Sequence, residues 1–181
     1  MSDGFSLERF RELVLYFAEE SVDDPLFGAT KLNKMLAYAD FYAYAHYGES
    51  LTGATYRALP NGPVAEQMDS VRTDLLSGGE AVIEQRERYG YVQHRLVPQR
   101  KARPESVFSE QEQQHIGEIL QLTHRYNAAE ISDKSHRDFL GWDLAATGDE
   151  IPYSSIFVSR KNMPGGLIER GQQLAAEHGW L

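Results

Sequence analysis

The stretch from Leu32 to Tyr47 constrains the fold of this 181-residue chain more than any other. Leu32, Met35, Leu36, Ala39 and Ala43 recur at the three-and-four spacing of one helix face, and Tyr38, Phe41, Tyr42 and Ala45 cover much of the rest. A helix that is apolar nearly all round either runs through the centre of a domain or turns a face toward a partner. One helix is not expected to bury every face in so small a domain. Tyr38, Tyr42, Tyr44 and Tyr47 therefore read equally as core and as a contact surface with one wet and one dry edge. A membrane span is not expected, because the run from Leu36 is interrupted by Asp40 and His46 and is shorter than the ~20 residues a span needs.

Asp40 sits inside this apolar helix, where a carboxylate is destabilising unless it is hydrogen-bonded or ion-paired, and where burial raises its pKa. It is either a catalytic acid or a structural group tying the helix to a neighbouring turn or to Arg57. With no second positioned acid or base in view, the structural role is favoured.

Around this helix the chain predicts a mainly α, α+β architecture: one compact helical domain with a small antiparallel β-hairpin. A first helix starts at Ser6 as N-cap and runs to about Glu20, with Leu7, Phe10, Leu13, Val14 and Phe17 facing the core. Asp23-Asp24-Pro25 ends it, and the central helix follows from Thr30 to a stop at Gly48. Leu51 to Ala58 reads as extended. Pro60-Asn61-Gly62-Pro63 reads as a turn feeding directly into a helix with Pro63 in its first position, where the missing N–H is harmless. That helix places Val64, Met68, Val71 and Leu75 on one face and ends at Gly78-Gly79. Val82–Arg88 and Tyr91–Val97 alternate around Tyr89-Gly90 as a hairpin, and Lys101–Ser106 reads as a linker. Ser109 and Glu112 have capping-box spacing. Short helices follow at Ala128–Lys134 and Asp138–Ala146, then an extended stretch from Ile151 to Val158, a loop at Met163–Gly166 and a terminal helix.

Composition removes several chemistries. The chain has no cysteine, so disulfides, thiol nucleophiles and iron–sulfur sites are excluded. Its six histidines form no metal-ligating pattern. His136-Arg137-Asp138 lacks the asparagine and glycine-rich loop that would make it kinase-like. The serine-nucleophile elbow and the P-loop are both absent. The formal net charge of −9 argues against generic nucleic-acid binding. Charge is uneven, however: Arg86, Arg88, Arg95, Arg100, Lys101 and Arg103 form a basic window after an acidic N-terminal region. The favoured reading of that window is a solvated hairpin and linker; an acidic partner or a promoter-binding role is the alternative. The N-terminus lacks a basic region followed by an apolar one, so a cytoplasmic protein is expected.

Several blocks in order resemble a known family. They are Lys31-Leu32-Asn33-Lys34-Met35-Leu36-Ala37-Tyr38-Ala39-Asp40, His46-Tyr47-Gly48 with Leu51, and Asn61-Gly62-Pro63-Val64. Glu130-Ile131-Ser132, Ser135-His136, Trp142, Gly148 and Ile151-Pro152-Tyr153 follow. Across roughly residues 30 to 158 the chain resembles the Panacea-domain family of SocA-like antitoxins and GepA-like phage-associated proteins. Residues 1–181 then form a single such domain, with 1–29 as an N-terminal helix and 159–181 as a C-terminal loop and helix. The resemblance implies a protein without catalytic residues, metal or cofactor that neutralises a toxin, encoded by a neighbouring gene, through direct binding. An adaptor that delivers the toxin to a AAA+ protease is the alternative; an enzyme with a site around Asp40, His136 or Tyr153 ranks lower. The candidate partner-binding or signature residues are Lys31, Lys34, Tyr38, Asp40, Tyr42, Gly62, Pro63, His136, Trp142 and Tyr153. The partner is expected on the surface of the central helix and the turn that follows it.

Overall fold

A computed structural model describes residues 4–88 and 90–158; the expected C-terminal loop and helix lie outside them. Helix α1 is Leu7–Glu20, capped by Ser6, whose side chain accepts from the Arg9 N–H. Phe10, Leu13, Val14 and Phe17 are fully buried, but Leu7 is 47% exposed, because the first turn projects past the end of the core. Helix α2, Ala29–Tyr47, stops at Gly48 in the left-handed region.

Every face of α2 is covered over most of its length. Leu32, Met35 to Phe41 and Ala43 are buried, together with Lys31 and Lys34. The helix is the axis of the domain, in contact with α1, strands β2 (Gly62–Ala65) and β4 (Tyr91–Pro98), helices α4 (Glu110–His124) and α5 (Ala128–Asp138), and a 3-10 turn at Tyr153–Phe157. The expectation of an uncovered face fails because the later elements wrap it from all sides. Its two ends open to solvent, at Ala29 and at His46 and Tyr47, the last with 43% exposure.

The segment after α2 also differs from expectation. Pro63 does not open a helix: Gly62–Ala65 is strand β2, antiparallel to β1 (Tyr56–Leu59) across the two-residue turn Pro60-Asn61. The register pairs Pro63 with Ala58, whose N–H and C=O both turn away, to Asp149 (2.9 Å) and Gly148 (2.7 Å). Pro63 therefore occupies a position where no ladder bond requires its missing N–H. Helix α3 starts only at Met68 and runs to Ser77, with Met68, Val71 and Leu75 buried.

The hairpin of β3 (Ala81–Arg88) and β4 follows in the expected register, with Arg88 opposite Tyr91. Pro104–Ser106 forms a 3-10 turn inside the linker. Capping boxes at Ser109–Glu112 and Asn127–Glu130 start α4 and α5, and α6 is Leu140–Leu144. The final stretch coils into the 3-10 turn at Tyr153–Phe157 instead of running extended. Three residues per turn put Tyr153 and Ile156 on one side, against the core.

Two members of the basic window, Arg95 and Arg100, are engaged inside the molecule, while Arg86, Lys101 and Arg103 are exposed. Arg95 is 2% exposed and donates to the carbonyls of Asp24 (2.7 Å), Ser21 and Val22 (both 3.0 Å), tying down the exit of α1. Arg100 bridges Glu12 and Glu80, each at 2.6 Å, while the Ala102 and Arg103 N–H groups donate to Glu19 and Glu12. Arg100 and the linker backbone thus meet the acidic face of α1, and the solvated reading holds for the exposed side chains Arg86, Lys101 and Arg103.

Gly62 offers a direct check of this packing. Its φ is +107°, and a Cβ there would meet Lys34 Nζ at 2.7 Å and Ser135 Oγ at 3.1 Å; Gly48 has φ +79° and open space. Both alanine variants carry backbone strain of about 1 kcal/mol or more. Gly62→Ala is expected to lose roughly 1–2 kcal/mol beyond Gly48→Ala in urea denaturation, since only the former also displaces a buried side chain.

Candidate functional site

The candidate residues converge on α2, and Lys31, Lys34, Tyr38 and Asp40 are each answered from outside the helix, whereas the buried Asn33 Oδ1 has no partner among the described residues. Near the helix start, Lys31 Nζ donates to Asp24 Oδ2 at 2.7 Å and to the His124 carbonyl at 3.0 Å, with both side chains of the ion pair buried. One turn on, Lys34 is 1% exposed and makes one long hydrogen bond, 3.4 Å, to the Pro63 carbonyl. Desolvation lowers its pKa to about 8.

Tyr38 and Tyr42, one helical turn apart, both donate to Asp138 Oδ2, at 2.9 and 3.3 Å, and Lys134 reaches the same oxygen at 2.6 Å. Burial first, then the Asp138 charge, pushes both phenols above their ordinary range. Asp138 belongs to the triplet that looked like a fragment of a kinase loop; its role is to fasten α5 to α2.

Asp40 is completely buried and accepts from the Thr52 N–H (2.8 Å), Thr52 Oγ1 (2.6 Å) and the Tyr56 hydroxyl (2.8 Å). It ties α2 to the following turn, as one branch of the structural reading expected. The other branch fails: Arg57 pairs with Glu66 instead. Burial raises the Asp40 carboxyl to about 6 against the pull of its hydrogen bonds. Tyr56, Phe139 and Tyr153 surround Phe41 at ring distances of 5.3, 5.0 and 4.9 Å, closing the space around it.

The β1–β2 turn is held from outside by α5 and α6. Trp142 Nε1 donates to the Leu59 carbonyl at 2.8 Å, and its ring lies flat on His136, 3.7 Å between centroids and 5° between planes. Burial and then the Lys34 charge hold the His136 imidazole below its usual pKa. Gly62 and Pro63 are buried under this arrangement. Tyr153 donates to the Ala54 carbonyl. Asp40, His136 and Tyr153 thus serve three separate contacts and share no reacting centre. Among the described residues, no group of three or more His, Asp or Glu side chains could hold a metal, and no helix is long and apolar enough to cross a membrane.

The sequence reading missed Thr52, Lys134, Ser135 and Asp138 as partners of the signature residues. The i, i+4 spacing of Tyr38 and Tyr42 was the available signal for a shared acceptor.

This network of α2 with the β1–β2 turn and helices α5 and α6 coincides with the stretch that matches a family model. Residues 32–143 match the model described as antitoxin SocA-like, Panacea domain. The chain belongs to that family. The matched span begins after Lys31 and ends before Gly148 and Ile151-Pro152-Tyr153, so it does not cover those residues. No curated protein and no solved structure matches the chain. Membership of a SocA-like antitoxin family points to a non-enzymatic role and to a protein partner.

Two of the buried ionisable groups of α2, Asp40 and Lys34, give opposite pH signatures. The ordinary Asp value is 3.8, so folding raises the Asp40 pKa; its contribution to stability is fully present below 3.8 and is lost as pH rises through about 6. Stability of the wild type minus that of Asp40→Asn should therefore fall by about 3 kcal/mol between about pH 4 and 7. Lys34 is depressed from 10.5 to about 8, so its contribution is present above 10.5 and is lost as pH falls through 8. Lys34→Met should be more stable than the wild type at pH 7, with the gap narrowing by about 3 kcal/mol toward pH 10. Denaturant titrations at each pH read both differences.

Proposed function

We propose that this protein is an antitoxin that acts in the cytoplasm and neutralises a partner toxin by direct binding. The carrying observation is the family match over residues 32–143. The internal commitments of α2 support a binding role displaced from the helix itself, since Lys31, Lys34, Tyr38 and Asp40 are 0–1% exposed. These residues act by shaping the fold; the contact surface lies where apolar side chains reach solvent next to them.

The surface we favour is the β1–β2 turn with α6. Leu59 is 39% and Leu144 71% exposed, and Leu59, Pro60 and Trp142 line a shallow groove of about 210 Å³. Asp143, Asp149 and Glu150 are exposed close by in the chain. An apolar centre with an acidic rim fits a toxin that presents an apolar side chain among basic residues. The turn following α2, half of the surface expected from sequence, is retained in this reading, and the helix is replaced by α6.

Co-expression with the product of the neighbouring gene tests the reading. That product alone should arrest growth, and this protein should restore it. Leu144→Asp and Leu59→Asp should weaken protection at least tenfold, judged by the antitoxin expression needed, without lowering the melting temperature by more than a few degrees. Deleting AAA+ proteases separates the adaptor alternative: protection by sequestration survives, whereas protection by delivery is lost. A neighbouring product that is harmless alone, or whose toxicity this protein leaves unchanged, sinks the proposal.

A further inference from the structure

The β3–β4 hairpin packs on α1 and α2 through β4 and meets α3 through β3, and no other strand among the described residues pairs with its β3 edge. Which backbone groups point outward follows from one bond. Gln99 N–H donates to the Glu80 carbonyl at 2.8 Å, so Glu80 directs its carbonyl toward β4. Alternation then directs the backbone of Val82, Glu84 and Arg86 inward, and that of Ile83, Gln85 and Glu87 outward. Pro98, which has no N–H, sits opposite Ala81 at an outward position, as this assignment requires. Among the described residues, no segment hydrogen-bonds to the outward groups of Ile83, Gln85 and Glu87. The opposite edge is different: α1 and α2 pack against β4, and Arg95 and Leu96 are buried.

An open edge usually carries charges that block strand addition. Here their order instead selects a partner. A second copy of β3 can pair antiparallel about a two-fold axis in only a few registers, each named by the residue that meets itself. Centring on Glu84, Arg86 or Glu87 sets like charges opposite each other, and centring on Ile83 drives the second copy into the buried Ala81 end. Centring on Gln85 is the register without conflict. Gln85 exchanges backbone bonds with Gln85 of the second copy, Glu84 faces Arg86 of the second copy, and Arg86 faces its Glu84. Both charge pairs fall at non-hydrogen-bonded positions, where cross-strand side chains approach most closely. Glu84 and Arg86 already lie on one face within each chain, at 2.9 Å, so the four groups form a closed alternating cluster. Val82 and Ile83, 41% and 37% exposed, gain cover in the same step.

We infer that the protein forms a symmetric dimer through antiparallel pairing of β3 with β3 of a second copy, in the register centred on Gln85. The result is a four-stranded sheet in the order β4-β3-β3-β4. The contact is short, and the association is correspondingly weak and concentration-dependent. It uses neither the β1–β2 turn nor α6, so it stands apart from the proposed toxin surface.

Sedimentation velocity on the full chain over a range of concentrations tests this, with melting temperature as the fold control. The wild type should pass from monomer to dimer. Arg86→Glu and Glu84→Arg should each weaken dimerisation about tenfold or more, because two-fold symmetry turns both facing pairs repulsive. The double variant Glu84→Arg with Arg86→Glu restores opposite charges across the axis and should recover the dimer. Amide exchange should show concentration-dependent protection at Ile83, Gln85 and Glu87, with Glu84 and Arg86 unchanged. A chain that stays monomeric throughout overturns the inference, as it would if the edge serves a strand from another protein. A dimer indifferent to the single reversals, or one the double swap fails to restore, overturns it equally.

Discussion

Burial of α2 over most of its length is the constraint on which the rest of the structure depends. Enclosing a helix on all sides secures a large apolar core, but this one also takes Lys31, Lys34 and Asp40 out of water. Each must then find a partner or carry a heavy desolvation penalty. Lys31 is answered by Asp24 and the end of α4, and Asp40 by Thr52 and Tyr56. Lys34 has only the Pro63 carbonyl at 3.4 Å, and its lowered pKa is the measure of that shortfall. These polar groups specify which segment docks where along a helix whose apolar surface alone would accept many neighbours.

The same argument explains why the family signature reads as a binding motif in sequence and as scaffolding in the fold. Polar and aromatic residues at a fixed order look like a contact surface when their partners are unknown. Tyr38 and Tyr42 meet Asp138, about a hundred positions later, and Trp142 holds the Leu59 carbonyl. The proposed contact surface is made of exposed side chains, so substitutions there leave these interior contacts in place. Fold membership alone therefore does not name the partner.

Local signals were legible in the sequence. The caps at Ser6 and Ser109, the stop at Gly48 and the β3–β4 hairpin all follow from chemistry within a few residues. The failures share a cause. Pro63 fits a helix start and an edge-strand position equally well, and the carbonyl and N–H of Asp149 and Gly148 that free Ala58 from β2 are invisible at residue 63. Leu7 carries the right spacing yet lies beyond the reach of the core, and the turn at Tyr153–Phe157 is shaped by where Phe41 and Tyr44 lie. The site was legible as a set of residues, not as a set of contacts. Within the basic window only Arg95 and Arg100 depart from the solvated reading, and for the same reason, since their partners Asp24, Glu12 and Glu80 lie far from them in the chain.

The span between Tyr38 and Asp138 has a consequence for biosynthesis. A ribosome that has made α2 must still add about a hundred residues before the carboxylate that receives its two tyrosine hydroxyls emerges. Until then α2 has neither its α5 cover nor its later aromatic neighbours Phe139 and Tyr153. For about half of the synthesis of the chain its aromatic side therefore stays open, a stage at which an uncovered apolar face is within reach of chaperones and proteases.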